Sequence, residues 1–204
     1  MPPRAGAKSA GAKSARAEPG RLRIIGGCWR GRRLPVASQP GLRPTMDRVR
    51  ETLFNWLTPT IEGSRCLDCF AGSGALGLEA ASRGAATVVQ LERSPAVARR
   101  LQANADELGA RQLRVYCADA LEWLATSSPV AFDVCFLDPP FAADLLAPTL
   151  RRLAQDGWLA AGALVYVETD QATPLPDLPA DWRWLRDKRA GQVRYALAEA
   201  GANP

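Results

Sequence analysis

The chain has 204 residues, 47% of them hydrophobic, which suits one sizeable α/β domain with an extension. It carries no histidine and five cysteines, which removes every mechanism that needs an imidazole base and the commonest metal ligand. The net charge of +5 conceals an asymmetry, since residues 1–65 sum to +9 and the remainder to −4, and a basic end on a mildly acidic body points to a bound polyanion.

Residues 1–20 are rich in Ala, Gly, Lys and Ser and hold no apolar core of the kind a secretory signal needs, so a disordered basic tail is expected there. No apolar run approaches the roughly 18–20 residues that cross a bilayer, and a cytoplasmic protein with no membrane association is expected. Residues 21–45 read as a basic extension. Within it, RLRIIGGCWRGRRLPV (21–36) predicts a short β-hairpin with Gly26, Gly27 and Gly31 near its turns. Arg23, Arg30, Arg32 and Arg33 surround Trp29, and basic residues around an exposed aromatic are the composition of nucleic-acid contact. A solvated edge hairpin is the alternative.

The main domain is expected to fill 46–204. It opens with a helix over 46–57, with apolar spacing at Val49, Leu53, Trp56 and Leu57, Thr45 as N-cap and Asp47 near the positive helix end. Strands are predicted at 64–69, 86–91, 113–117, 132–137 and 162–168, and helices at 75–83, 95–108, 120–125 and 143–155. Alternating strands and helices imply a mostly parallel sheet covered on both faces. After a Pro-rich stretch, two strands around Gly191 predict an antiparallel hairpin at the sheet edge. Cys66, Cys69, Cys117 and Cys135 fall in or beside these strands and read as small core hydrophobes. Cys66 and Cys69, three apart on a strand, point to opposite faces, so no metal or redox pair is expected.

LDCFAGSGALGLEA (67–80) is a strand, a glycine turn and a helix start. Gly72, Gly74 and Gly77 satisfy the dinucleotide spacing, and Glu92 follows twenty residues after Gly72 at the end of the next strand. A nicotinamide or flavin enzyme is therefore one reading. Asp68 argues against it, because a carboxylate at the strand end repels a pyrophosphate. It suits S-adenosylmethionine, which has an ammonium, a sulfonium and a ribose diol but no phosphate. Phe70, Gly72, Ser73 and Gly74 then form the cofactor loop, Glu92 accepts from the ribose hydroxyls and Asp119 from the adenine amino group. Asp119 also reads as a helix N-cap. FDVCFLDPPF (132–141) ends a buried strand with a carboxylate and two prolines, which cannot continue a central strand.

Asp68-x-Phe70-x-Gly72-Ser73-Gly74, Glu92, Asp119 and Asp138-Pro139-Pro140-Phe141 resemble the motif series of class I methyltransferases acting on amino groups. More narrowly, RIIGGCWRGRRLPV, GLRPTMDRVRETLFNWL, LDCFAGSGALGLEA and AGQVRYAL resemble the bacterial family that methylates the N2 amino group of one guanine in 16S rRNA, over roughly residues 21–198. The resemblance implies a Rossmann-like seven-stranded sheet, S-adenosylmethionine as cofactor, and 16S rRNA or an assembling 30S subunit as partner of a monomeric enzyme. It implies that Asp138, Pro139, Pro140 and Phe141 form the catalytic loop, with Asp138 also near the cofactor. It further implies that Arg43-Pro44-Thr45 lines the cofactor pocket, with Thr45 contacting the methionine carboxylate. Two other classes remain open at this point. One is a DNA or RNA adenine-N6 or cytosine-N4 methyltransferase, which uses a similar loop but usually carries a larger target-recognition region. The other is a non-catalytic RNA-binding protein with a relict fold.

Overall fold

The structure is a computed structural model and describes residues 20–37, 46–140 and 144–201. The expected tail, apart from Gly20, and the positions of Arg43, Pro44, Thr45 and Phe141 lie outside the described residues.

The hairpin forms where glycines and alternating apolar residues predict it. Strands β1 (Arg21–Arg23) and β2 (Arg33–Pro35) pair antiparallel, with Leu22 opposite Leu34. Leu22, Ile24, Leu34 and Val36 are buried in the same core cluster as the first helices, so one side of the hairpin is part of the domain's core. The other side presents the arginines. Helix α1 (Asp47–Leu57) buries Val49, Leu53, Phe54 and Leu57. Its N-cap position is Met46, not Thr45, and no side chain caps it. Asp47 instead places a carboxylate in the first turn, where the helix dipole favours it, and binds Arg23 and Arg50.

Next come β3 (Arg65–Asp68), α2 (Ala75–Ser82), β4 (Thr87–Leu91), α3 (Pro95–Leu108) and β5 (Leu113–Tyr116). They are followed by α4 (Ala120–Thr126), β6 (Phe132–Leu137), α5 (Leu146–Gln155), β7 (Leu159–Asp170), β8 (Arg183–Ala190) and β9 (Val193–Glu199). Among the described residues, seven strands form one sheet in the order β5-β4-β3-β6-β7-β9-β8. It is parallel from β5 to β7, and β9 runs antiparallel to both β7 and β8. This is the Rossmann-like architecture with a C-terminal antiparallel hairpin that the pattern predicts. The last strand inserts beside β7 and leaves β8 at the edge.

Most boundaries shift by one residue from the sequence reading, and three differences matter more. Strand β7 spans 159–170 rather than 162–168, because the β6–β7 register shifts between Phe132 and Val134 and lets the strand start early. Helix α5 starts at Leu146 rather than 143, after Asp144 at a φ of +43°. Strand β5 lies at a sheet edge and ends at Tyr116, so Cys117 is exposed and is not a core residue.

Helices α1 and α2 cover one face of the sheet over Cys66, Val134, Phe136 and Tyr166, while α4 and α5 cover the other over Cys69, Cys135 and Val165. Cys66 and Cys69 thus belong to opposite faces, as strand alternation requires.

Candidate active site

Strand order reverses direction between β3 and β6, and in open α/β sheets ligands bind outside the carboxyl ends of the strands at such a switch point. Both motifs lie there. Asp68 pairs in register with Phe136, so the glycine loop leaves β3 beside the strand that Asp138 follows.

The Asp68 side chain is 1% exposed. Its Oδ2 accepts the Gly77 N–H and the Gln90 Nε2, each at 3.1 Å. Burial pushes its carboxyl up to about 6, against the hydrogen bonds from Gln90 and the backbone of Gly77 and Phe70. Asp68 is therefore the anchor of the loop as well as an acid beside it. Gly74 heads α2 at a φ of +81°, and a Cβ there would meet Leu101 Cδ2 at 2.5 Å. At Gly77 a Cβ would meet Gln90 Nε2 at 2.5 Å. Gly77 thus lets α2 pack closely on β4, and Gly74 makes room for Leu101 of α3, whatever ligand the loop holds. Ser73 is buried in the loop, and Phe70 packs half-buried against the α4–α5 side.

Glu92, half-buried just past β4, faces this loop: Oε2 accepts the Gly72 N–H at 3.1 Å and Oε1 the Ser94 N–H at 2.7 Å. Asp119 caps α4, its Oδ1 accepting the N–H groups of Leu121 at 3.0 Å and Glu122 at 3.2 Å. The capping reading of Asp119 is thereby met, and both bonds fall on one oxygen.

Asp138 is half-buried, Pro139 buried and Pro140 exposed; Phe141 lies outside the described residues. Beneath them the α1 face is aromatic, with Phe136 6.0 Å from Phe54 and 6.5 Å from Tyr166, centroid to centroid.

Residues 22–199 match the family model described as Conserved hypothetical protein 95. The Escherichia coli (strain K12) protein named Ribosomal RNA small subunit methyltransferase D is 52% identical over 183 residues, 90% of this chain and 92% of that one. The Haemophilus influenzae protein of the same name is 48% identical, covering 87% and 93%. The chain belongs to the ribosomal RNA small subunit methyltransferase D family. The solved structure of the Escherichia coli protein yhhF superposes with a TM-score of 0.84 at 49% identity, covering 90% of this chain and 99% of that one.

S-adenosylmethionine is the expected cofactor of a member of this family, and the residues present fit it. The switch-point acids Asp68 and Glu92 flank the glycine loop, an environment that suits a cationic donor with a ribose diol rather than a pyrophosphate.

The five proposed RNA-binding residues do not form one uniform surface. Arg23 is bonded to Asp47 at 2.8 Å and Arg32 to Glu107 at 3.1 Å, while Arg30 and Arg33 are exposed. Trp29 is half-buried and packs on the core, so it is not the exposed aromatic the composition suggests. Its backbone N–H donates to Ser82 Oγ at 3.0 Å.

Sequence reasoning missed the residues that hold these parts together. Gln90 braces Asp68 and is fully buried; a lone polar residue in the apolar run VVQL was its signal. Glu79, also fully buried, accepts the N–H groups of Ile25 at 2.8 Å and Gly26 at 2.7 Å and binds Arg83, which locks the hairpin turn onto α2. Glu168 ends the apolar run LVYV, the same position on its strand that drew attention to Asp68 and Asp138.

Proposed function

We propose that this protein transfers a methyl group from S-adenosylmethionine to the exocyclic N2 amino group of a guanine in 16S rRNA. The observation that carries the reading is the placement of Asp138-Pro139-Pro140 at the switch point, one strand away from the Asp68 glycine loop. The names of the relatives support ribosomal RNA of the small subunit as the substrate.

When bound, S-adenosylmethionine supplies an electrophilic sulfonium methyl, so no metal is required. The chain's task is to present the amine. The guanine N2 lone pair is delocalised into the ring, and acceptors on its N–H groups turn that lone pair outward. The Asp138 carboxylate and the Pro139 carbonyl are those acceptors, and the prolines, with φ fixed near about −65°, keep them rigid. Phe141 stacks on the base. The target nucleotide must leave its stack to reach this loop, which single-stranded rRNA makes easier.

Glu92 holds the ribose hydroxyls; Asp119 offers its second carboxylate oxygen to the adenine amino group; Phe70, Gly72, Ser73, Gly74 and Thr45 line the rest of the pocket. Asp68 keeps the glycine loop in shape beside the donor's cationic part. Arg30 and Arg33 hold rRNA phosphates, with Arg23 and Arg32 joining when they exchange their carboxylate partners for phosphate. The protein acts as a monomer in the cytoplasm, on 16S rRNA or on an assembling 30S subunit.

The test is methylation of 30S particles and of free 16S rRNA from cells lacking this enzyme, followed by digestion and mass spectrometry of nucleosides. N2-methylguanosine is the expected product. N6-methyladenosine or N4-methylcytidine would overturn the guanine assignment, and no product with either substrate would favour a binding protein.

A further inference from the structure

A second carboxylate lies beside the catalytic loop. Glu168 is 4% exposed, on the α1 face near the end of β7. Its Oε2 accepts the Tyr166 hydroxyl at 2.8 Å, and Tyr166 is fully buried. Phe136 pairs with Tyr166 and Leu137 with Val167 in the parallel β6–β7 register. The next residues along are Asp138, just past the end of β6, and Glu168, still within β7, so the parallel register carries the two acids side by side. Asp138 is also near enough to Tyr166 to disfavour loss of its phenolic proton, together with burial and Glu168.

A buried carboxylate costs folding free energy unless something offsets it. Tyr166 gives Glu168 one hydrogen bond. Of the other charged groups near this face, Arg50 on α1 gives one nitrogen to Asp47 and the Arg23 carbonyl, while its buried Nε and Nη1 have no hydrogen-bond partner among the described residues, and Lys188 on β8 lies over Trp56. On β9 the register partner of Glu168 is Tyr195, and Asp68 on β3 is tied to Gly77 and Gln90. No cation among these residues is hydrogen-bonded to Glu168, and such an acid is an unusual expense for a strand that an apolar residue could complete.

We propose that Glu168, held by Tyr166, is a positioning residue for the methyl transfer: its carboxylate acts through Asp138, making that neighbour a stronger acceptor for the proton released by the attacking amine. The inference rests on the amino-methyl-transfer reading above. In that step nitrogen forms a bond to the methyl carbon, the carbon–sulfur bond breaks with its electron pair staying on sulfur, and the amine's proton passes to Asp138. A like charge next door favours the protonated form of Asp138, and Glu168 itself is shielded from solvent. Apparent pKa values measured for this site belong to both carboxylates together.

The experiment compares wild type with Glu168→Gln and Glu168→Asp, using labelled S-adenosylmethionine and unmodified 30S particles under saturating conditions across pH 5–9. Expected for Glu168→Gln is a kcat lower by about tenfold, a fraction of the 10²–10⁴ that proton transfer typically supplies. The acidic limb of its kcat profile should move to lower pH, with KM and S-adenosylhomocysteine affinity unchanged. Glu168→Asp, which keeps the charge, should restore much of the limb position. An unmoved limb in Glu168→Gln would overturn the proposal, whether kcat is unchanged or falls together with thermal stability in both variants. If wild type methylates a nucleotide other than guanine, the substrate assignment fails, while the limb shift still tests Glu168.

Discussion

Asp68 and Gln90, at the ends of neighbouring strands, are joined by a 3.1 Å hydrogen bond beneath the glycine loop. The carboxylate is buried, which pushes it upward, and the neighbouring acid Glu92 adds to that effect. The consequence for stability has a definite sign. The ordinary value of 3.8 is raised to about 6 in the folded protein. Between those values the folded state binds more protons than the unfolded one, so stability falls as pH rises from about 4 to 6, by on the order of 3 kcal/mol. Asp68→Asn removes this titration. Urea unfolding at several pH values should show the variant gaining on wild type across that window and keeping a constant difference above about pH 7. Parallel curves for the two proteins would mean that Asp68 is not buried as an acid.

Glu92 has a structural duty, and the proposed function adds a ligand-facing one. Its carboxylate holds the Gly72 and Ser94 N–H groups. Glu92→Ala should weaken S-adenosylhomocysteine binding by about 1–3 kcal/mol, the usual cost of removing a charged acceptor from paired donors. NAD should not bind either protein. Calorimetry reads both, and comparable NAD affinity in wild type would contradict the cofactor assignment.

Asp138 should separate binding from chemistry. It follows β6, one strand over from the Asp68–Gly77 bond that shapes the glycine turn. Asp138→Ala should leave S-adenosylhomocysteine affinity nearly intact and lower turnover by on the order of 10²–10³-fold, as when one preorganised polar group is removed. Turnover close to wild type would reduce Asp138-Pro139-Pro140 to a strand terminator.

The hairpin arginines should differ in what they contribute. Arg30 and Arg33 are exposed, whereas Arg32 is bonded to Glu107 and Arg23 to Asp47. Filter-binding salt titrations with rRNA should show Arg30→Ala/Arg33→Ala flattening the log–log slope by about 0.7 per lost contact on single-stranded RNA. Arg32→Ala should flatten it less, since its charge is already partly spent on Glu107. Trp29→Ala should lower the melting temperature, because its ring packs on the core. Equal slopes in all variants would mean that the hairpin holds no phosphate.

The sequence by itself determined the periodic parts of this protein. Buried parallel strands are apolar on both faces, and their helices repeat on one, so β6 (Phe132–Leu137) and α3 (Pro95–Leu108) could be read to the residue. Acids at strand ends, read with the glycine loop, pointed to S-adenosylmethionine rather than a dinucleotide before the strand order was known. Tertiary structure alone decided what each polar side chain touches, because pairing across the chain has no local signature. It placed Glu79 on a hairpin turn more than fifty residues earlier, gave the Asp68 carboxylate to Gln90 and Gly77, and paired Arg23 and Arg32 with Asp47 and Glu107. It buried one side of Trp29, which composition had assigned to RNA. Finally, the β6–β7 register set Glu168 beside Asp138, a neighbourhood that arises only when two strands thirty residues apart in the chain lie parallel in one sheet.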